Sequence, residues 1–336
     1  MNSKTLRLDA NEGRPCLPPA EIAALIDSEL LRRYPDSAAL EAALADRMDL
    51  PPERLIATAG ADDAIDRAIR SFGRSGATVL STAPAFEEYA AAAARSGARY
   101  VAVPRAPDGP FPLAALVAAL GVERPALVVV ASPDNPGGGT ISAPELRALA
   151  AEAGSAGGAK VLFDVAYADF DEDRGVYDVA ASLPGVISTG TFSKACGLAG
   201  LRAGWAAGSA ADIARLRAAG PPYALGTFAV AAAQAALERG AEAVAAFVSE
   251  VRRERPLLQA ALAAIGAKTW AGKANFAAAI VPDASAFSDA LAGEGIKIRS
   301  WPGKPGREGL IRITCPGDGE EFLTLLAALG KIGRLR

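Results

Sequence analysis

Between Leu55 and Gly204 short runs of apolar, β-favouring residues alternate with longer alanine-rich stretches. The runs predict strands at Leu55–Thr58, Thr78–Ser81, Tyr100–Val103, Ala126–Ala131, Lys160–Asp164, Val186–Thr189 and Ala203–Ala206. Val128-Val129-Val130 is continuously apolar, the signature of a strand covered on both faces rather than one. The stretches between them predict helices, among them Asp62–Phe72, Phe86–Ser96 and Ala143–Ala153. Regular strand–helix alternation implies a mainly parallel α/β sheet. Ligands of such sheets gather beyond the carboxyl ends of the strands. Pro133–Asn135, Asp164–Tyr167 and Thr191–Lys194 fall there.

After Pro221-Pro222 the pattern changes. One long helical stretch is expected from about Thr227 to Ile265, then shorter α+β material with the apolar run Leu310-Ile311-Arg312-Ile313-Thr314 and a terminal helix. This reads as a second, smaller domain. The apolar segment Ala224–Leu237 contains Gly226, Thr227 and Gln234, so it reads as the start of a buried helix. Alanine-rich segments favour helix over disorder, and no internal repeat is visible.

The chain has 336 residues, 51% of them hydrophobic, and a formal net charge of -3. That length supports a substantial core and more than one domain. The charge offers no basis for nucleic-acid binding. The absence of histidine excludes imidazole bases, Ser-His-Asp triads and His-based metal sites. Any catalytic base must be Lys, Asp, Glu, Tyr or Cys. Cys16, Cys196 and Cys315 have no metal-like spacing and predict no disulfide framework, which fits a reducing cytoplasm. The opening residues Met1–Asp9 lack the apolar core of a signal peptide, and no apolar run approaches the ~18 residues of a membrane span.

Lys194 sits in Thr191-Phe192-Ser193-Lys194-Ala195-Cys196-Gly197, between an apolar run and a glycine-rich turn, with Arg202 eight residues later. Such a neighbourhood suits an amine in a tight pocket better than a solvated charge. It is the setting that a lysine binding pyridoxal phosphate as a Schiff base requires. Asp164 closes the apolar run Val161-Leu162-Phe163, where a carboxylate is costly unless paired. Gly60-Ala61-Asp62-Asp63 joins a strand to a helix, and free N–H groups at a helix start make a phosphate site. Arg312 lies within an apolar run, and its fork matches a carboxylate.

Gly60–Asp63, Ser132-Pro133-Asp134-Asn135-Pro136-Gly137-Gly138, Phe163–Tyr167, Thr191–Arg202 and Leu310–Thr314 follow one another in the order found in fold-type I pyridoxal-phosphate-dependent aminotransferases. The chain resembles that superfamily over nearly its whole length, and most of all the histidinol-phosphate aminotransferase branch. The resemblance implies an α/β fold with a mainly parallel seven-stranded sheet flanked by helices and a smaller α+β C-terminal domain. It implies an N-terminal arm over residues 1–33 packing near the small domain, a large cofactor domain over 34–225 and the small domain over 226–336. It further implies pyridoxal phosphate as cofactor, no metal, and a homodimer with shared active sites.

Carried over residue by residue, Lys194, Asp164 and Tyr167 would be catalytic. Gly60, Ala61, Asp62, Thr191, Ser193 and Arg202 would form the phosphate cup, Phe86 would stack on the ring, and Asn135 and Tyr167 would reach its phenolic oxygen. Arg312, Arg299 and Asn11 would bind substrate, joined by Tyr34 of the partner subunit. Three departures stand out. The family's Asn-Pro-Thr-Gly is Asn135-Pro136-Gly137-Gly138, the aromatic that is often Tyr is Phe86, and Gly13-Arg14-Pro15-Cys16 replaces the usual aromatic or Pro-Tyr-Gly-like segment of the arm. The expected activity is amino transfer between a histidinol-phosphate-like donor, or an amino acid, and a 2-oxo acid such as 2-oxoglutarate. Decarboxylation of a phosphorylated amino acid by the same residues is the alternative, and a cofactor-binding sensor or degenerate paralogue is the non-enzymatic one.

Overall fold

A computed structural model describes residues 5–333. Residues 1–4 of the opening segment, on which the signal-peptide reading partly rests, lie outside the described residues. There are twelve strands among the described residues: β1 (Leu6–Leu8), β2 (Leu55–Thr58), β3 (Thr78–Ala83), β4 (Arg99–Pro104), β5 (Leu127–Ala131), β6 (Lys160–Asp164), β7 (Val186–Thr191), β8 (Gly204–Ala207), β9 (Lys268–Thr269), β10 (Phe276–Ile280), β11 (Ile296–Ser300) and β12 (Leu310–Thr314). All seven strands expected between Leu55 and Gly204 form one sheet, in the order β2-β8-β7-β6-β5-β3-β4. The pairs β3–β4, β3–β5, β5–β6 and β6–β7 are parallel, while β8 runs antiparallel to both β7 and β2.

Burial on both faces explains the continuous apolar strands. Val129, Leu162 and Ile187 pack with Ala64, Ile65 and Ala68 of the helix Ala61–Phe72. Val128, Val130, Val161 and Phe163 point the other way, into a core shared with Leu116 and Leu120 of Leu113–Glu123 and Leu146 and Leu149 of Ala143–Ser155. Each such side chain contributes about 1.5–3 kcal/mol on burial. The helix Ala143–Ser155 begins with a capping box in which the Ser142 hydroxyl accepts from Glu145 N–H and the Glu145 carboxylate accepts from Ser142 N–H.

Register decides where the site lies. Asp164 is level with Ala131 of β5 and with Thr189 of β7. The segments that follow these three positions therefore emerge side by side at one edge of the sheet.

A second sheet has the order β1-β11-β12-β10-β9. Its core includes Val251, Leu258 and Leu262 from the helix Ala241–Ala264 and Phe322, Leu325 and Leu329 from Gly319–Ile332. The arm reaches this sheet as expected, since β1 pairs in parallel with β11. Its next residues go elsewhere: Cys16 and Leu17 pack with Leu55, Ala57 and Ala207 beneath the large sheet. The arm thus ties both sheets together.

The single helix expected from Thr227 to Ile265 is two, Thr227–Arg239 and Ala241–Ala264, divided at Gly240. A Cβ on Gly240 would stand 2.6 Å from the Ala236 carbonyl oxygen and 2.8 Å from Cys16 Sγ. The break lets the chain pass close to the arm, a contact between residues far apart in sequence that periodicity does not register. Among the described residues no helix is long and apolar enough to cross a membrane.

Candidate active site

Lys194, Asp164, Tyr167, Asn135, Arg202, Arg299 and Arg312 line one cavity of about 360 Å³. Ala61, Asp62, Phe86, Thr191 and Ser193 line it as well. At its centre Lys194 Nζ donates to the Ala10 carbonyl at 3.1 Å and stands 5.6 Å from the centre of the Tyr167 ring. The Tyr167 hydroxyl accepts from Asn11 Nδ2 at 2.9 Å, and the ring is held edge-on against Phe276.

Asp164 is buried at the end of β6. One carboxylate oxygen accepts from the Tyr89 hydroxyl at 2.7 Å and the other from Ala166 N–H at 3.0 Å. Burial nonetheless holds this carboxyl above the usual range, against those hydrogen bonds. A buried acid with no cation in contact fits a positively charged ring nitrogen placed against it.

At another wall the helix Ala61–Phe72 begins at Gly60, with no side chain capping its first turn. Gly60 has φ 82°, and a Cβ there would meet the Arg202 guanidinium at 2.7 Å. Arg202 donates to Asp62 at 2.7 Å and to Ser193 Oγ at 3.3 Å, and Thr191 Oγ1 donates to Ser193 Oγ at 2.9 Å. Uncapped N–H groups, two hydroxyls and one guanidinium fit a phosphate. Phe86, at the start of the helix Glu87–Arg95, stands edge-on to Tyr89 at 5.7 Å between ring centres.

Arg312 projects from β12 into the cavity. It donates to Asn135 Oδ1 and, at 2.7 Å, to the Asp9 carbonyl, while its Nε is buried without an acceptor. Burial pushes its pKa down to about 10. A guanidinium so placed is short of an anion, as a carboxylate-binding group must be before its ligand arrives.

Gly60 adjoins the cavity through Arg202 without lining it, and two further expected residues, Asn11 and Tyr34, do not line it. Asn11 is fully buried, its Nδ2 on the Tyr167 hydroxyl, and it is bonded also to Thr314 and Asn275. Tyr34 is 78% exposed and stacks on Tyr223, outside this chain's own cavity.

A family model for aminotransferases of class I and II matches residues 4–329. The chain belongs to this family. It is 35% identical over 332 residues to the histidinol-phosphate aminotransferase of Chromobacterium violaceum, covering 96% of this chain and 91% of the relative. It is 33% identical to that of Roseiflexus castenholzii, with 98% and 90% covered. The histidinol-phosphate aminotransferase of Sinorhizobium meliloti, solved with pyridoxal-5'-phosphate, superposes with a TM-score of 0.88 at 28% identity, covering 98% of this chain and 91% of that one. An N-succinyldiaminopimelate aminotransferase from Mycobacterium tuberculosis superposes with a TM-score of 0.82 at 26% identity, covering 98% and 92%. Aminotransferases of this shape therefore differ in substrate, and specificity must be sought in side chains.

The structure of this aminotransferase adds residues that sequence reading missed. Tyr89 follows Phe86 by three positions, so the first turn of one helix supplies both an aromatic wall and the hydroxyl that holds Asp164. That i, i+3 spacing was a readable signal. Glu87, Trp301 and Arg307 also line the cavity. Arg307 sits in Gly303-Lys304-Pro305-Gly306-Arg307-Glu308-Gly309, which reads as an ordinary solvated loop. A larger cavity, of about 770 Å³, opens beneath Trp205 and Gly190, but apart from Thr191 none of the expected site residues lines it.

The unusual arm sequence of the aminotransferase also has a structural reason. A Cβ on Gly13 would overlap the Lys194 carbonyl oxygen, and one on Gly197 would overlap the Arg14 backbone. Cys16 N–H donates to the Cys196 carbonyl at 3.1 Å. The arm runs backbone to backbone along the lysine loop. Gly13→Ala is therefore expected to cost about 1–3 kcal/mol by overpacking and to weaken cofactor retention. Thermal melting and cofactor titration check this, and an unchanged Tm with unchanged affinity would show that the arm moves aside freely.

Proposed function

We propose that this chain is a pyridoxal-phosphate-dependent aminotransferase that passes the amino group of a histidinol-phosphate-like donor to a 2-oxo acid such as 2-oxoglutarate. The observation that carries the reading is the arrangement around Lys194: a phosphate cup at Ser193 and Arg202, a buried carboxylate at Asp164, and a guanidinium short of an anion at Arg312. When bound, pyridoxal phosphate supplies a carbonyl for the donor's amine and a ring that takes up electrons as the α-proton leaves. Lys194 Nζ holds the cofactor and then moves that proton from the donor's α-carbon. Asp164 keeps a positive charge on the ring nitrogen, Tyr167 and Asn135 hold the phenolic oxygen, and Phe86 covers one face of the ring. Arg202, Ser193, Thr191 and the N–H groups of Ala61 and Asp62 anchor the phosphate beside Gly60. Arg312 orients the acceptor's carboxylate, and Arg299 lies towards the distal end of the donor.

The reading includes a homodimer in which Tyr34 of the partner subunit completes the phosphate end of each site. The exposed apolar side chains Leu31, Tyr34 and Tyr223 support it, because they are the kind that a partner covers. The proposed division into an arm over 1–33, a large domain over 34–225 and a small domain over 226–336 follows the two sheets, and the setting is cytoplasmic.

Purified enzyme given pyridoxal phosphate, histidinol phosphate and 2-oxoglutarate should form glutamate. Carbon dioxide release from a phosphorylated amino acid without glutamate formation would replace the reading by decarboxylation. Glutamate formed only from other donors would retain the activity and discard the substrate.

A further inference from the structure

Two of the three cysteines meet, although one lies in the arm and the other two positions past Lys194. Cys16 N–H donates to the Cys196 carbonyl at 3.1 Å, and the two thiols are in hydrogen-bonding contact. Cys16 is buried, while Cys196 is half-buried and lines the cavity of about 770 Å³ beneath Trp205. Cys315 stands apart in the core of the second sheet, where burial holds its thiol above the ordinary range. One pair of thiols is thus in contact and reachable from a cavity, and the third is shielded and unreactive.

The contact favours a thiolate. An S–H that donates to a neighbouring sulfur stabilises negative charge there, and Cys196 draws the Cys16 thiol below its ordinary range while burial pulls the other way. The second proton is correspondingly harder to lose, and the Cys196 thiol is held up by its contact with Cys16. One thiolate beside one thiol is the arrangement from which a disulfide forms under a hydroperoxide. The thiolate sulfur takes one peroxide oxygen, the O–O bond breaks, and the departing hydroxide is protonated to water. The other sulfur then attacks the sulfenic acid so formed. An S–S bond forms, the S–O bond breaks, and the oxygen leaves as water with the thiol's proton. Two electrons pass from the pair to the peroxide, and an added dithiol returns them.

Such a bond would act on Lys194. Disulfide sulfurs stand about 2 Å apart, closer than two thiols in contact, so the arm and the lysine loop must draw together. There is no slack between them. A Cβ on Gly13 would overlap the Lys194 carbonyl oxygen, and one on Gly197 would overlap the Arg14 backbone. Lys194 Nζ also holds the Ala10 carbonyl of the same arm. The contraction is therefore taken up by the backbone that carries Lys194.

We propose that Cys16 and Cys196 are a reversible redox pair, and that their disulfide ties the arm to the lysine loop and slows the enzyme. A transient disulfide of this kind is compatible with a reducing compartment. The pair does not depend on the activity proposed above, but the slowing does.

The test treats the cofactor-loaded enzyme with hydrogen peroxide, quenches it with an alkylating reagent and maps it by mass spectrometry without reduction. A peptide joining Cys16 to Cys196 should form and disappear again with dithiothreitol. It should be missing from Cys16→Ala and from Cys196→Ser, and Cys315 should remain a thiol. Stable sulfenic or sulfinic acid on either cysteine without the joined peptide, or no reaction at all, would overturn the pair. Oxidised wild type should turn over roughly tenfold more slowly, within the scale for a small displacement of a catalytic group, and dithiothreitol should restore the rate. Both variants should keep their rates under peroxide. A joined peptide with unchanged turnover, or equal losses in the variants, would rule out the slowing. Should histidinol phosphate not serve as donor, conversion of the bound cofactor by L-glutamate supplies the rate. If neither reacts, the proposed activity fails and the slowing with it, and the joined peptide alone decides the pair.

Discussion

Lys194→Ala is expected to fold normally and to lose turnover by roughly 10⁴-fold. In the structure Lys194 Nζ has one hydrogen-bond partner, the Ala10 carbonyl, at the edge of a cavity that water can enter. Removing it strands no buried ion, so the melting temperature should shift little. The chemistry has no substitute. The chain has no histidine, and Tyr167, whose ring centre lies 5.6 Å from Nζ, has its hydroxyl engaged by Asn11. No other side chain is placed both to hold the cofactor covalently and to carry the α-proton. Pyridoxal phosphate should still bind through the Arg202 and Ser193 cup, but its absorbance should be that of the free aldehyde. Stopped-flow absorbance and steady-state glutamate formation check both points. A variant that keeps the wild-type spectrum and rate would end the case for Lys194.

Much of this site was readable before any fold, for a physical reason. Strand periodicity locates strand ends, parallel sheets put ligands there, and unusual residues at those ends, Asp164 and Lys194 above all, stand out against apolar runs. The same logic gave all seven strands of the large sheet, within a few residues at each end. Contacts between distant segments were not readable. Gly240 divides one expected helix into two at a point where a Cβ would stand 2.8 Å from Cys16 Sγ, and nothing in the helix pattern encodes Cys16. Gly13 looks like a departure from a family pattern until the Lys194 carbonyl is seen where its Cβ would be. Arg307 sits in a loop rich in Gly and Pro, where charge usually means solvent, yet Trp301 and Ala85 enclose it. Asn11, expected beside the substrate, is buried with its side-chain amide on the Tyr167 hydroxyl, a contact that spans 156 residues of sequence. Local pattern reveals which residues are exceptional, while packing decides whether they face the cavity or support what does.

Asp164→Asn should separate catalysis from stability, since it keeps the shape of the carboxylate and removes its charge. Turnover is expected to fall about 10²–10³-fold, the scale for losing one preorganised electrostatic contact to charge that develops during reaction. KM should change less, because Arg312 and Arg299 remain. Stability without cofactor should move the other way. Burial holds the folded Asp164 carboxyl above its unfolded value, so across the interval between the two the folded protein binds more protons than the unfolded one. Stability therefore falls as pH rises through that interval, and above it the ionised, buried carboxylate remains a standing cost. Asparagine has no such titration and still accepts from Tyr89 or from Ala166 N–H. Cofactor-free Asp164→Asn should melt higher than cofactor-free wild type above the raised pKa, and the difference should shrink as the pH is lowered through it. Added pyridoxal phosphate should stabilise the wild type more than the variant, because only the wild type gains a cation opposite a buried charge. Melting curves over pH, with and without cofactor, read this directly. If the cofactor stabilised both proteins equally at neutral pH, Asp164 would not face the ring nitrogen, and the carboxylate at the end of β6 would be held by Tyr89 for structural reasons alone.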